Sequence, residues 1–488
     1  MQDSLITGRL LIDGELVESE GAGWVDSINP ANEQIIGRAP AGTRRDVERA
    51  VDAARRAWPA WAERTGEERG ELLRTFGERI KARAEELSRI EVLDSGNTYS
   101  PTLASMHETV RSLRYYAGLI HGLHGETIPA TGRHLHMTVH EPYGVVGRIA
   151  AFNHPAMFSA ARTASALVTG NTVVVKPPET SPLSVLLLGE IAREVLPPGV
   201  FNIVNGTGQE VGDALVRHPE VKRIALIGSV PTGMAIQRSA AQVGIKHVTL
   251  ELGGKNPMIV FPDADLDAAA DSAVRGMNFS WQGQSCGSNS RLLVHESIYE
   301  ALLQRVVEKV AAIKVGDPMA PDTGMGPINS AKSYAHVMSF LDPAQTQGAR
   351  LMTGGRRPPG AAFAKGFWVE PTVYADVLPA CAYGARKSLG RYCLSANGAT
   401  LSKLSPWLTT LSMDCPPPSG PRIFNRHSIL PAGCGLEASS STAATPIFSA
   451  CPGAVSRTAA WTGKRALRSC TATWRRRSST SCCKRSMY

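Results

Sequence analysis

Between residues 144 and 295 one rhythm repeats. The short β-branched runs "GVVGRIAAFN", "NTVVVKPPE", "GVFNIVNG", "VKRIALIGS", "KHVTLEL", "NPMIVF" and "SRLLVH" recur with helix-length segments between most of them. Apolar side chains on consecutive positions mark strands covered on both faces, because a strand with one wet face alternates apolar and polar residues. Buried strands alternating with helices specify a parallel, doubly wound α/β sheet. Nucleotides bind at the carboxyl ends of such strands, where the chain turns into the next helix.

Upstream, "TRRDVERAVDAARRAWPAWAE" starts from the capping residue Thr43 and brings Val47, Ala50, Val51 and Ala54 to one face at helical spacing. A second helix carries Leu72, Phe76, Ile80 and Leu87 on one stripe, and "ESIYEALLQRVVEKVAAIKVGDP" turns Leu303, Val306, Val307 and Val310 inward. Alternation resumes near "GFWVEPTVYADV", and no internal repeat is found. A chain of 488 residues has room for two or three domains without disulfide staples. No run of about 18 apolar residues occurs, and "MQDSLITGRLLIDGE" lacks the charged and apolar regions of a secretory signal. The expectation is a soluble, cytoplasmic enzyme.

At residue 381 the character changes. Residues 381 to 488 hold 15 Lys and Arg against two acids, Asp414 and Glu437, which leaves 37 basic and 41 acidic groups before them. The net charge of +9 thus comes from the tail, and the first part carries no footprint for nucleic acid or an anionic membrane. Eight of the nine cysteines lie in the tail as well, with Cys286 alone before it. Segments such as "MDCPPPSGPR", "EASSSTAATP" and "TWRRRSSTSCCKRS" show neither helical nor strand periodicity.

Several strand ends carry groups capable of chemistry, each with a plainer alternative. In "LIGSVPTGMAI", Gly228, Ser229 and Gly233 sit where backbone N–H groups and a helix N-terminus can hold a phosphate, although glycines there also serve turns and close packing. "VVVKPPE" sets Lys176 and Glu179 on a stiff turn. A carboxylate there can accept both ribose hydroxyls and repel a 2′-phosphate, or the two can be a solvated charge pair. Glu251 in "TLELGGKNP" lies between two leucines, which suggests a buried acid with a raised pKa suited to a general base, or a carboxylate capping the next turn. Asn153 follows a strand end and can offer its amide to a cleft, while neighbouring His154 is given no role. Cys286, in "QGQSCGSNS", is either a small buried hydrophobe or a nucleophile set among small residues and backbone donors.

Taken together, from about residue 10 to about residue 380, these segments resemble the NAD(P)-dependent aldehyde dehydrogenase superfamily. The motifs occur in family order: "INPANEQIIGRAPAG", "FN" with Asn153, "KPPE" with Lys176 and Glu179, "GS" at Gly228 and Ser229, "ELGGKNP" with Glu251, "GQSC" with Cys286, and "EPTV" from Glu370 to Val373. The resemblance implies an α/β fold with a Rossmann-type NAD-binding domain over 1–251, which carries an oligomerisation hairpin near 124–143. A second α/β catalytic domain is expected over 252–380, followed by an irregular tail over 381–488. It also implies oxidation of a small aldehyde to the acid. Cys286 attacks the carbonyl, the oxyanion lies between the Asn153 amide and the Cys286 N–H, and Glu251 activates the water that hydrolyses the thioester. NAD, preferred over NADP, would be held by Lys176 and Glu179, with Gly208, Gly228 and Ser229 near the ribose or pyrophosphate. No metal is implied. An acylating dehydrogenase that passes the acyl group to coenzyme A is the alternative, and Glu251 argues against it, since that reaction needs no water-activating base.

Two local departures are "AFN" where the family has "PWN", and Pro231 where an acid is common. The tail departs far more, lacking the family's "EEIFGPV"-like stretch, its closing loop and its oligomerising strand. Read one base out of frame, residues 453 to 466 can encode G-G-V-K-N-S-G-L-D-G-E-E-S, and the run starting "GRYCLS" at Gly390 is compatible with A-V-L-S-V. The expectation is a frameshift near residues 379 to 390. It leaves this chain with little activity, exposed sheet edges and an impaired homo-oligomer, or inactive as a dehydrogenase.

Overall fold

The computed structural model describes residues 5–21, 23–128, 134–341 and 349–377, together with the backbone of 391–396, 430–431 and 474–482. Its central sheet has seven strands: β2 (Leu10–Ile12), β3 (Glu15–Val17), β8 (Val145–Ile149), β9 (Thr172–Lys176), β10 (Phe201–Ile203), β11 (Val221–Gly228) and β12 (His247–Leu252). Their order is β12-β11-β8-β9-β10-β2-β3; the first five run parallel, and β2 and β3 turn antiparallel at one edge. The chain lays β8, β9 and β10 outward in one direction and returns to add β11 and β12 on the other side of β8. The reversal between β8 and β11 opens a crevice at the carboxyl ends.

Both faces of this sheet are covered, which explains the unbroken apolar runs. Val146, Val173 and Val175 pack with α2 (Gly66–Ala82), α4 (Tyr99–Leu119), α6 (Ala164–Val168) and α7 (Leu183–Arg193). Val145, Val174, Ile224 and Leu226 face α1 (Arg44–Glu63), α8 (Asp213–Arg217) and α9 (Val230–Ala241) on the other side. Each buried Val, Leu or Ile contributes on the order of 1.5–3 kcal/mol. Thr43 caps α1 through a reciprocal bond with Asp46, and Val47, Ala50, Val51 and Ala54 are buried as their spacing predicts. The predicted second helix is two helices: α2 ends at Ala82, and Leu87 belongs to α3 (Ala84–Ser95), because the chain leaves helical geometry at Arg83 (φ −110°).

The chain passes at once from β12 to the six-stranded second sheet, ordered β15 (Arg350–Thr353), β16 (Thr372–Ala375), β17 (Arg391–Ala396), β14 (Arg291–Val294), β13 (Pro257–Val260) and β18 (Leu430–Pro431). α10 (Leu266–Gly276) and α11 (Tyr299–Ala311) cover it, with Leu303, Val306 and Val310 buried and Val307 half-buried, while α12 (Ala331–Met338) lies beyond α11 in the chain. Two smaller sheets complete the described fold. One orders β1 (Ile6–Thr7), β5 (Ile35–Pro40) and β4 (Trp24–Ile28); the other joins β6 (Thr127–Ile128) and β7 (His134–Pro142) to β19 (Trp474–Cys482).

The tail is therefore not irregular throughout. β17 takes an interior place between β16 and β14, β18 pairs with β13, and β19 runs antiparallel along all of β7. Exposed sheet edges were expected; at β7 the edge is paired. The physical reason is that a strand edge is satisfied by backbone N–H and C=O groups whatever the side chains, and "SST" in Ser478–Thr480 tolerates extension. The out-of-frame segment 453–466 lies outside the described residues.

Candidate functional site

Lys176 ends β9, in register with Ile149 at the end of β8. Its ammonium donates to Pro177 O at 2.9 Å and lies 4.0 Å from Glu179 Oε1. Burial pushes Lys176 down to about 8, against the opposing pull of Glu179. Glu179 is exposed and accepts the Gly208 N–H at 2.5 Å. A Cβ on Gly208 would sit 3.3 Å from that carboxylate oxygen, and one on Gly212 would lie in ordinary contact with the Lys176 methylenes at 3.7 Å. The turn after β9 and the Gly208–Gly212 turn thus form a single shelf bearing the Lys176 ammonium and a Glu179 carboxylate whose second oxygen meets no donor among the described residues, a set suited to a ribose diol.

Gly228 ends β11, and Ser229 caps α9, its Oγ accepting the Thr232 N–H at 3.3 Å. Gly233 N–H is spent on Ser229 O, and Pro231 has none, so among the described residues the Val230 N–H is the free donor of that first turn. A helix N-terminus of this kind favours negative charge. Glu251 stands beside it on the edge strand β12, opposite Ile227. It is exposed, which corrects the expected buried carboxyl: among the described residues β12 has no strand on its outer side, so the leucines flanking Glu251 are only half-buried. Its charged neighbour is buried Arg148 on β8, whose Nε and Nη2 meet no acceptor among the described residues. Burial and the like charge of Arg162 push Arg148 down to about 9; Glu251 opposes this and Arg223 adds to it.

Asn153 lies between β8 and α5 (Pro155–Ala160) and is 8% exposed. Its side-chain amide makes no hydrogen bond among the described residues, while its carbonyl accepts Asn97 Nδ2 at 3.0 Å. His154 is half-buried against Trp281, ring centroids 5.0 Å apart, and against Phe158 at 5.3 Å. Burial, with Arg162 adding to it, pushes His154 down to about 4, so it is neutral at pH 7.

Cys286 is exposed and, among the described residues, unpaired on the loop between the turn Phe279–Trp281 and β14. Around it, Gln282, Gly283, Gln284 and Ser288 are buried. Asn256 Nδ2 fixes the loop from the other side, donating to Cys286 O at 2.7 Å and Ser288 O at 3.2 Å. The Trp281 ring joins this loop to the Asn153 turn through His154. Lys176, Glu179 and Gly208 are in direct contact. Gly228, Ser229 and Glu251 share adjacent strand ends, and Asn153 and the Cys286 loop share neighbours. No hydrogen bond among the described residues links the Cys286 thiol to the Asn153 amide or to Glu251.

Sequence reading missed Asn97, Gln282 and Asn256, which place the loops, and Arg148, which faces Glu251. Asn256 and Gln282 stood inside quoted motifs, Gln282 next to Gly283 and Asn256 two residues after the Gly-Gly pair. Asn97 has no such signal, since its partner is 56 residues away.

Residues 16–383 match the model of the aldehyde dehydrogenase family. Aldehyde dehydrogenase tropH of Talaromyces stipitatus is 43% identical over 361 residues, 72% of this chain and 70% of the relative. An aldehyde dehydrogenase of Bacillus cereus, solved as its NAD+ complex, is 35% identical with a TM-score of 0.79, covering 82% of this chain and 81% of that one. Betaine aldehyde dehydrogenase of Staphylococcus aureus, also solved with NAD+, is 35% identical with a TM-score of 0.80, covering 83% and 81%.

Proposed function

The chain belongs to the aldehyde dehydrogenase family, and from that premise we propose that it oxidises an aldehyde to a carboxylic acid with NAD, through a covalent intermediate on Cys286. The observation that supports the reading is the exposed Cys286, free among the described residues, on a turn pinned by Asn256 and joined to the Asn153 turn through the Trp281–His154 ring contact.

In this mechanism the Cys286 thiolate adds to the aldehyde carbon, forming a C–S bond and moving the carbonyl π electrons onto oxygen. The Asn153 amide and the Cys286 N–H receive that oxyanion; each such donor is worth on the order of 10²- to 10³-fold in rate. Bound NAD supplies the acceptor for the hydride whose loss converts the thiohemiacetal to a thioester. Glu251, exposed to solvent, then takes a proton from water as it attacks the thioester carbon, and the C–S bond breaks to free the acid. Glu179 would hold the adenosine ribose hydroxyls with Lys176 behind it, and the α9 N-terminus at Ser229 the pyrophosphate. The exposed Glu179 carboxylate repels a 2′-phosphate, which favours NAD over NADP. With a base at 251, hydrolysis is favoured over transfer to coenzyme A. We assign residues up to about 251 to a cofactor-binding domain that also lends Asn153 and Glu251 to the reaction, and those from 252 to about 380 to the catalytic domain that carries Cys286.

NADH formation from a panel of small aliphatic and aromatic aldehydes, run beside Cys286→Ala, tests this. Turnover that survives the substitution would sink it.

The tail enters the same reading. We read residues beyond about 380 as the family's own C-terminus displaced by one base, with β17 as the out-of-frame occupant of a strand position. Resequencing across codons 379 to 390 tests this, and an uninterrupted frame there defeats it.

A further inference from the structure

We propose that Asn97 and Gln282 are positioning residues, which hold the Asn153 amide and the Cys286 thiol in mutual register by clamping both loops to the single turn Gly96–Thr98. This rests on the reading of Cys286 and Asn153 as nucleophile and oxyanion donor.

Those two groups arrive from different sheets. Asn153 follows β8 of the first, and Cys286 precedes β14 of the second. An oxyanion site shared between them works only if their separation is held within about 0.5 Å. Three consecutive residues after α3 touch both. Gly96 O accepts Gln282 Nε2 at 2.8 Å, Asn97 Nδ2 donates to Asn153 O at 3.0 Å, and Thr98 N–H donates to Ser280 O at 3.1 Å. The Asn97 and Gln282 bonds are buried, Asn97 being 2% exposed and Gln282 0%. Buried in this way, the two bonds do not compete with water, so one turn ties both loops.

The turn itself has little freedom. Gly96 has φ +80°, and a Cβ there would meet Pro327 O at 2.6 Å. Gln282 is held at φ +53°, a left-handed backbone that a non-glycine residue adopts at a cost unless its surroundings enforce it. Its Oε1 accepts Gln284 Nε2 at 2.7 Å, which fixes the amide that reaches Gly96. Behind the other arm, Glu91 of α3 accepts the Ala156 N–H at 3.0 Å, so α3 anchors the helix that follows Asn153 as well.

Two reactions of the same thiol test the proposal in the full chain. Iodoacetamide alkylates Cys286 by displacing iodide at a saturated carbon, with no oxyanion. With p-nitrophenyl acetate, the thiolate forms a C–S bond at the carbonyl, an oxyanion develops, and the C–O bond breaks to release p-nitrophenolate. Asn97→Ala and the isosteric Asn97→Asp are both expected to slow the p-nitrophenolate burst by roughly 10- to 100-fold while alkylation changes less than about twofold. Parent-like bursts in both variants, or equal loss of both reactions, would overturn the positioning role. A parent thiol that alkylates but never acylates would instead defeat the reading of Cys286 itself, and the positioning role with it.

Discussion

At the scale of single residues, the site combines groups whose environments differ sharply although they stand at neighbouring strand ends. Lys176 is buried and Glu179 exposed, three positions apart on a proline-stiffened turn. Because burial holds Lys176 at about 8 rather than near 10.5, its charge is complete below pH 7 and fades above about 8. NAD affinity, followed by quenching of protein fluorescence, should therefore weaken between pH 7 and 9 in the parent and stay flat, and weaker, in Lys176→Met. Asn153→Ala should lower turnover by on the order of 10²- to 10³-fold with a much smaller change in aldehyde KM, as expected for a contact made only with developing charge. A KM effect without a kcat effect would assign Asn153 to binding alone.

At the scale of elements, helix termini fix where the loops begin. Asp265 caps α10 by accepting the Asp267 and Ala268 N–H groups at 2.9 and 3.0 Å. Asp265→Ala should cost about 0.5–2 kcal/mol in denaturant unfolding without changing the rate of Cys286 alkylation. Helix α3 is less ordinary, since it buries both Glu91 and Asp94, each pushed up to about 7 chiefly by burial. For Glu91 the folded value lies above the unfolded one of about 4.3, so the native state holds the extra proton between them and stability falls as pH rises through that window. Glu91→Gln removes this titration. Its Tm relative to the parent should rise from pH 4.5 to pH 8, the equivalent of at most about 3 kcal/mol; a constant difference would show that Glu91 does not titrate there.

At the scale of the whole molecule, two sheets meet where the chain crosses from Leu252 to Pro257, and the residues proposed for catalysis come from both sides of that crossing. The tail bears on this assembly through β17, which lies inside the second sheet. A chain restored to the family's frame after about residue 380 should be a soluble oligomer by light scattering and oxidise aldehydes at least tenfold faster than the 488-residue chain. Equal activity and equal mass for the two would show that the tail as written serves the fold.

The strands from β8 to β11, and β13 and β14, were legible because burial on both faces writes consecutive apolar residues into the sequence, a local signal that needs no partner, whereas β12 at the edge shows the alternation V-T-L-E-L. Cys286, Asn153, Glu251, Lys176 and Glu179 were legible as candidates because they stand at strand ends or in polar, glycine-rich turns, again within a few residues of the signal. What the tertiary structure alone decided was environment and register. Glu251 is exposed because β12 is an edge among the described strands, Lys176 is buried with the Gly208–Gly212 turn beside its methylenes, and Asn97 matters because Asn153 and Gln282 are folded against its turn. Residue type and spacing are properties of a chain, whereas solvent access and the distance between two loops arise only when distant segments pack.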